Sequence, residues 1–222
     1  MPAPCFIFDL DGTLVENVYE HVAAWKKAFE EAEIRVPTWR IHRRIGIGGE
    51  RLAREIAEEA RTTLSAGDAD HVHKRHGEIF NALKLAAALM PGARELLTHL
   101  SAQGVDWAIA TSGHADNAHG ALEALGVIGK AVIVTGDQVK SAKPAPDLFV
   151  AAAKRLRRPI SDACVVGDSV WDMEAATSAG ARGIGLRCGG YAACELEDAG
   201  ANRVYDDPAD LLAHISTLLP PG

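Results

Sequence analysis

The sequence predicts an α/β protein whose parallel sheet carries helices on both faces and is interrupted near its start by a helical insertion. From residue 89 onward, short apolar runs typical of buried strands alternate with helix-patterned stretches. Residues 1–14 already contain one such apolar run followed by a turn, whereas residues 15–88 are helix-patterned and rich in Ala, Glu, Arg and His. We therefore expect a core domain formed by 1–14 and 89–222, with a helical domain at 15–88.

The elements of the predicted core follow from their apolar runs and helical spacing. The predicted strands, of which the last is the weakest, are Cys5–Phe8, Val105–Ala110, Ala131–Val134, Ala163–Val166, Gly183–Leu186 and Arg203–Tyr205. The predicted helices between them are Ala93–Ser101, Ala115–Leu125, Asp147–Arg155 and Met173–Ala179. In such sheets, ligands bind beyond the carboxyl ends of the strands.

The predicted insertion contains amphipathic helices separated by Pro37 and the run Gly46–Gly49. Apolar residues recur at helical spacing at Val18, Val22, Trp25 and Phe29, at Leu52 and Ile56, and at Ile79 and Leu83. A histidine cluster lies further along the insertion at His71, His73 and His76. Because Lys74 and Arg75 are interleaved with these histidines, we interpret them as a solvated helix surface rather than as metal ligands.

Composition excludes several classes of partner. The 222 residues carry 30 acidic against 23 basic side chains, a net charge of −7, so a nucleic-acid or anionic-membrane footprint is not expected. No apolar run approaches the roughly 20 residues of a membrane span, and no charged leader precedes an apolar stretch. We expect a cytoplasmic protein, and a monomer or a homodimer are both open. Cys188 and Cys194 flank a glycine-rich loop, where a disulfide or metal pair is the less favoured alternative.

Polar residues follow three of the predicted strands directly. They are Asp9 and Asp11 after the first strand, Thr111 and Ser112 after the second, and Asp168 and Asp172 after the fourth. A turn or a helix cap would explain each group alone. Their joint position at the carboxyl edge of one sheet instead predicts a functional site.

These residues also resemble the sequence signatures of a known protein superfamily. The segment Phe8-Asp9-Leu10-Asp11-Gly12-Thr13-Leu14 resembles the first signature of the haloacid dehalogenase superfamily. Thr111, Lys143 and Gly167-Asp168-Ser169-Val170-Trp171-Asp172 match the other three signatures in order. The resemblance implies a Rossmann-like catalytic core with a small helical cap, as in the branch of phosphoglycolate phosphatases and β-phosphoglucomutases.

The resemblance implies a role for each matching residue. Asp9 matches the nucleophile, and Asp11 matches the general acid and base. Lys143 and the Thr111 hydroxyl match groups that hold the phosphoryl oxygens. The implied metal ligands are the carboxylates of Asp9, Asp168 and Asp172, the last directly or through water, and the backbone carbonyl of Asp11. Crowded carboxylates next to an anionic phosphate require a divalent cation, and oxygen ligands favour Mg²⁺.

Other candidates for substrate binding have weaker signals. Ser112 offers its backbone N–H to the phosphoryl group, but many relatives carry Asn there, which leaves a role for its side chain open. Arg43, Arg44 and Gly46 could engage an anionic leaving group, or they could form an ordinary surface loop. His21 aligns with a cap histidine of the mutase branch, although a histidine on a helix surface is an equal alternative.

The resemblance implies a Mg²⁺-dependent phosphatase that forms an aspartyl phosphate and acts on a small metabolite, either phosphoglycolate or a sugar phosphate. A sugar phosphomutase is the enzymatic alternative. Ile45, Gly49 and Gly167 depart from the mutase pattern, however, which leaves a second phosphate without its expected clamp. A dehalogenase is disfavoured because that branch lacks a carboxylate at the position of Asp11. A non-catalytic phosphate-binding regulatory module is the remaining alternative.

Overall fold

The computed structural model describes residues 4–83 and 87–219. Close packing divides the chain into two compact units: the described residues of 1–16 and 87–222 form the sheet unit, and those of 17–86 form the inserted unit. Among the described residues, no helix has both the length and the apolar character that crossing a membrane requires. The cytoplasmic location stays a prediction.

The sheet unit is built on six parallel strands, counted over the described residues. They are β1 Cys5–Phe8, β2 Trp107–Ala110, β3 Val132–Val134, β4 Ala163–Gly167, β5 Arg182–Leu186 and β6 Ala201–Tyr205. Their order in the sheet is β3-β2-β1-β4-β5-β6, and every adjacent pair is parallel. All six predicted strands are present, and the Rossmann-like sheet is confirmed.

The helices of the inserted unit are α1 Val18–Glu31, α2 Thr38–His42, α3 Gly49–Glu59 and α4 Ala66–Ala82. The helices of the sheet unit are α5 Ala93–Ala102, α6 Ala115–Leu125, α7 Asp147–Leu156, α8 Val170–Ala179, α9 Ala193–Asp198 and α10 Pro208–His214. The predictions of α5 to α8 are correct. The short helices α2, α9 and α10 were not predicted, because five to seven residues carry too few repeats of a helical period.

Alternating side chains of β1 serve both faces of the sheet. Phe6 and Phe8 pack in a core with buried residues of α5, α6 and α10. Cys5 and Ile7 point the other way, into a core formed with α7 and α8. This two-residue period, with every strand position of β1 buried, is the mark of a parallel sheet that helices cover on both sides.

The insertion leaves and rejoins the sheet unit at one place. The Glu16 N–H donates to the Ala88 carbonyl at 2.8 Å, and the Met90 N–H donates to the Leu14 carbonyl at 3.0 Å. Between these bonds, Val15 and Leu89 form an antiparallel bridge. The two chain segments that flank the inserted unit are therefore hydrogen-bonded to each other within the sheet unit.

In the inserted unit, α1 buries the predicted apolar stripe, but α4 does not. The buried residues of α4 are Ala69, Val72, His76 and Gly77, whereas Ile79 is only partly buried and Leu83, directly after the helix, is 41% exposed. The interpretation of His76 as solvated is therefore wrong. Its ring stacks on Trp25 with the centroids 4.2 Å apart, and its Nε2 lies 3.1 Å from His21 Nδ1. A neutral imidazole packs like an aromatic side chain, which a hydropathy pattern does not register.

We expect His76 to make the stability of the protein pH-dependent. Burial, with His21 on α1 and His73 on α4 nearby, lowers the pKa of His76 well below its ordinary value. Below about pH 6.5 the unfolded chain binds a proton at this histidine while the folded chain does not, so stability falls as the pH falls. The loss should approach ~1.4 kcal/mol per pH unit in this range.

Urea unfolding of the wild type and of His76→Phe between pH 7.5 and 5 tests this expectation. The wild type should lose more stability on acidification than the variant, because the phenylalanine ring fills the site without titrating. His71→Gln, at an exposed position on the same helix, is the matched control and should follow the wild type. Parallel pH profiles for the wild type and His76→Phe would contradict the assignment.

Candidate active site

The carboxyl ends of β1 and β4 meet where the strand order of the sheet reverses. Asp9 directly follows β1, and its N–H donates to the Val166 carbonyl of β4 at 2.8 Å. Asp168 directly follows β4, and Asp172 lies in the first turn of α8. All three carboxylates are buried. In sheets of this topology, this point of reversal is where ligands bind.

The three carboxylates form a cluster suited to a cation. One oxygen from each of Asp9, Asp168 and Asp172 lies within 4.8 Å of the others. Burial, reinforced by the charge of Asp172, raises the pKa of Asp168 to about 7. Burial likewise raises the pKa of Asp9 well above its ordinary value, although Lys143 opposes this effect. A buried set of oxygen donors with excess negative charge fits a hard divalent cation such as Mg²⁺.

Among the described residues, Lys143 is the cationic side chain that contacts this cluster. Its side chain is fully buried, and its ammonium group donates to Asp9 Oδ1 and, at 2.7 Å, to Asp172 Oδ1. Burial disfavours the charged ammonium, but the carboxylates of Asp172 and Asp9 outweigh this penalty and raise the pKa of Lys143. The lysine therefore stays charged in the folded protein, with one positive charge facing three carboxylates.

Two hydroxyl groups hold the outer carboxylates in place. Thr13 Oγ1 donates to Asp168 Oδ1 at 2.7 Å. Ser169 caps α8, because its hydroxyl donates to Asp172 Oδ2 at 2.6 Å and accepts from the Asp172 N–H. The contact between Ser169 and Asp172 could have been predicted from the sequence, since a serine three residues before an acidic residue is a capping-box pattern. The contact of Thr13 could not, because 155 residues separate it from Asp168.

The end of β2 brings Thr111 next to Asp11. Thr111 is buried, and its hydroxyl donates to Asp11 Oδ2 at 3.2 Å and accepts from the Gly113 N–H at 3.0 Å. Asp11 and Ser112 are only partly buried. The structure thus brings five predicted residues of the sheet edge, together with Asp11, into two groups: a cluster of three carboxylates with Lys143, and the hydrogen-bonded pair of Thr111 and Asp11. They are Asp9, Thr111, Lys143, Asp168 and Asp172.

Two glycines pack against the carboxylates without space for a side chain. A Cβ atom at Gly167 would lie 2.3 Å from Asp172 Cγ, and one at Gly189 would lie 1.8 Å from Asp168 Oδ2. The neighbouring thiol of Cys188 donates to the Gly12 carbonyl at 3.1 Å. All four cysteines are free, so the less favoured alternative of a disulfide between Cys188 and Cys194 is not realised. The loop after β5 thus packs directly against the carboxylate cluster.

The remaining candidates belong to the inserted unit. His21 contacts His76, and Arg44 forms ion pairs with Glu55 at 2.9 Å and Glu59 at 2.8 Å. Arg43 follows α2 and is partly buried, and Gly46 adopts a left-handed φ of 104°. Roles in substrate binding for Arg43, Arg44, Gly46 and His21 stay predictions.

The strand order and the buried acidic cluster define a Rossmann-like α/β enzyme with a candidate cation site at the switch point of its sheet. The chain belongs to the haloacid dehalogenase-like hydrolase family, whose family model matches residues 3–180. The family prediction made from the sequence is confirmed.

Individual relatives agree with this membership. A hydrolase of known structure from Pseudomonas syringae is 44% identical, covers 99% of this chain and 100% of its own, and superposes with a TM-score of 0.94. Hexitol phosphatase A of Escherichia coli (strain K12) is 32% identical over 74% of this chain and 74% of its own length. Phosphoglycolate phosphatase of Pectobacterium atrosepticum is 28% identical over 92% of this chain and 89% of its own. These relatives and the family confirm the predicted class, a phosphoric monoester hydrolase.

Proposed function

We propose that the protein is a Mg²⁺-dependent phosphatase that hydrolyses a small phosphorylated metabolite through an aspartyl phosphate on Asp9. The observation that carries the proposal is the buried contact of Lys143 with Asp9 and Asp172. A lysine held between carboxylates at the switch point of the sheet offers a positive charge to an anionic group next to a potential nucleophile. The relatives named as phosphatases support the same reaction class.

Each step of the proposed reaction uses a residue of the sheet edge. The Asp9 carboxylate attacks phosphorus, the bond from phosphorus to the leaving oxygen breaks, and Asp11 gives that oxygen a proton. Water then attacks the phosphorus of the aspartyl phosphate, Asp11 takes the proton from the water, and the bond to Asp9 breaks. The hydrogen bond from Thr111 fixes the direction of the Asp11 carboxylate.

Asp9 must be ionised to act as a nucleophile, although burial raises its pKa. The ammonium group of Lys143 opposes this effect, and because it stays protonated it can also attract phosphoryl oxygens. The residues that would hold Mg²⁺ are Asp9, Asp168 and Asp172, with the backbone carbonyl of Asp11. Bound Mg²⁺ supplies positive charge that offsets the charge of the phosphoryl group in the transition state.

Gly167 favours the phosphatase over the sugar phosphomutase. The mutase pattern carries an acidic residue at this position, but a Cβ atom here would lie 2.3 Å from Asp172 Cγ. The site therefore has no space for that side chain unless Asp172 moves. Incubation with β-glucose 1-phosphate separates the two functions, because a mutase would form glucose 6-phosphate with little release of phosphate.

Removal of the metal should abolish turnover. We expect hydrolysis of p-nitrophenyl phosphate to fall at least ~10³-fold in excess EDTA and to return with Mg²⁺, because the carboxylate cluster would otherwise repel the substrate. Mg²⁺ at 100 times its Kd should also stabilise the folded wild type by ~2.7 kcal/mol, which is measured as a rise in the thermal midpoint. Asp168→Asn should lose most of this effect.

Asp116→Asn, at an exposed position in the first turn of α6, is the matched control and should keep the full response to Mg²⁺. Turnover that persists in EDTA would overturn the proposed role of Mg²⁺. To identify the substrate, a panel of sugar, polyol and carboxylic-acid phosphates should be ranked by kcat/KM, with phosphoglycolate and hexitol phosphates included. If no member of the panel releases phosphate, the proposed function is wrong.

A further inference from the structure

We propose that the amino edge of the sheet contains a second anion-binding site, formed by Arg182 and Arg203 over an apolar floor. The site is a cavity of about 290 Å³ in the sheet unit. Its lining residues are Cys164, Arg182, Ile184, Asn202, Arg203, Thr217 and Leu218. Arg182 and Cys164 stand at or beside the first residues of β5 and β4, whereas Asp168 follows the last residue of β4. The cavity therefore lies at the edge of the sheet opposite to the carboxylates.

An irregularity in β6 brings the two arginines to one face. Gly183 pairs with Ala201, but the next residue, Ile184, pairs with Arg203, so Asn202 is an extra residue in β6. Arg203 therefore shares the face of Ile184, and Arg182, two residues before Ile184, shares it too. Without the extra residue, Arg203 would point to the opposite face. The Asn202 side chain stabilises the bulge, because its Oδ1 accepts from the Gly183 N–H at 3.0 Å.

The two guanidinium groups have no acidic partner among residues 4–83 and 87–219. Several other arginines of this acidic chain form ion pairs: Arg44 with Glu55, Arg75 with Glu31, Arg158 with Asp106 and Arg187 with Asp206. No such pair is found for Arg182 or Arg203. Both arginines are exposed where they line the cavity, so an anion between them can accept hydrogen bonds from both guanidinium groups.

The chemistry of the walls defines the ligand. Guanidinium groups bind phosphate and carboxylate oxygens through paired hydrogen bonds, and two of them suit a doubly charged oxyanion. Cys164 and Ile184 are buried, and with Leu218 they provide an apolar floor. The cavity lies at the small end of ligand sites, which run from about 300 Å³ upward. We therefore expect a small oxyanion that carries a short apolar group.

Titration of the full-length protein with n-butylphosphonate, followed by NMR, tests the proposal. The Nε–H signals of Arg182 and Arg203 should shift and saturate, and the affinity should be roughly five-fold or more above that of methylphosphonate, because additional CH₂ groups are buried. Arg182→Gln and Arg203→Gln should each weaken binding at this edge at least ~10-fold. The amide signals of Gly12 and Gly113 report the carboxylate edge separately and should respond alike in all variants.

Arg157→Gln is the matched control, because Arg157 is exposed in the same unit and forms no ion pair with the described residues. It should bind n-butylphosphonate at the amino edge like the wild type. Shifts that grow in proportion to concentration without saturation would overturn the proposal, and so would unchanged binding in both Arg182→Gln and Arg203→Gln. Equal affinity for methylphosphonate and n-butylphosphonate would overturn the apolar part of the site. None of these outcomes depends on whether Asp9 acts as a nucleophile.

Discussion

Asp9→Asn should abolish turnover while the protein stays folded. The amide has the shape of the carboxylate but cannot form the acyl phosphate, so we expect kcat to fall by at least ~10⁴-fold. The loss of stability should be smaller than in Lys143→Met, because burial disfavours the charged form of Asp9 and Asp172 still pairs with Lys143. Steady-state kinetics and urea unfolding measure the two effects.

The covalent step gives a second readout of this variant. Wild-type protein quenched during turnover of a ³²P-labelled substrate should retain label that hydroxylamine releases, and Asp9→Asn should retain none. Asp116→Asn, the control used for Mg²⁺, should keep both turnover and labelling. Labelled Asp9→Asn would assign the nucleophile to another residue. An unlabelled wild type with normal turnover would instead favour direct attack by water.

Lys143→Met should strongly destabilise the protein. It fills the space of the lysine but leaves three buried carboxylates facing no cation among the described residues. Removing one member of a buried ion pair costs about 3–5 kcal/mol. Loss of the phosphoryl-binding charge should also lower kcat by roughly 10²–10³-fold or more.

Charge repulsion and lost packing can be separated by a second substitution. The double variant Lys143→Met/Asp172→Asn removes one of the unpaired carboxylates, so its free energy of unfolding should exceed that of Lys143→Met, while kcat should be no higher than in Lys143→Met. Lys140→Met, at an exposed position of the same loop, is the matched control and should resemble the wild type. If the double variant is no more stable than Lys143→Met, the repulsion argument is wrong.

Much of the sheet unit could be predicted from the sequence, because its strands are short apolar runs and its polar residues follow the strands directly. The cluster of Asp9, Asp168 and Asp172 is of this kind, since parallel strands bring their carboxyl ends to one edge. The identity of each strand was accessible without knowing its neighbours. The order and pairing of the strands could not be predicted, because neither composition nor spacing shows which strands lie side by side.

What escaped prediction depends on tertiary contacts. His76 is buried because Trp25 and His21 cover it, and neither lies nearby in the sequence. Gly189 packs against Asp168 only because β5 lies beside β4. The extra residue at Asn202 is visible only in the pairing of β5 with β6. In each case the deciding interaction joins residues that a local pattern treats separately.

The junction at Glu16 and Ala88 has an evolutionary consequence. Because the flanking segments are bonded to each other by the Glu16 and Met90 N–H groups, the sheet holds both ends of the excursion a few ångströms apart, whatever lies between them. Insertions with adjacent ends are well tolerated by a host domain. Selection can therefore lengthen, shorten or exchange the inserted helices while the carboxylates at the ends of β1 and β4 stay where they are. Sequence diversity among descendants of such a chain should accumulate between Glu16 and Ala88.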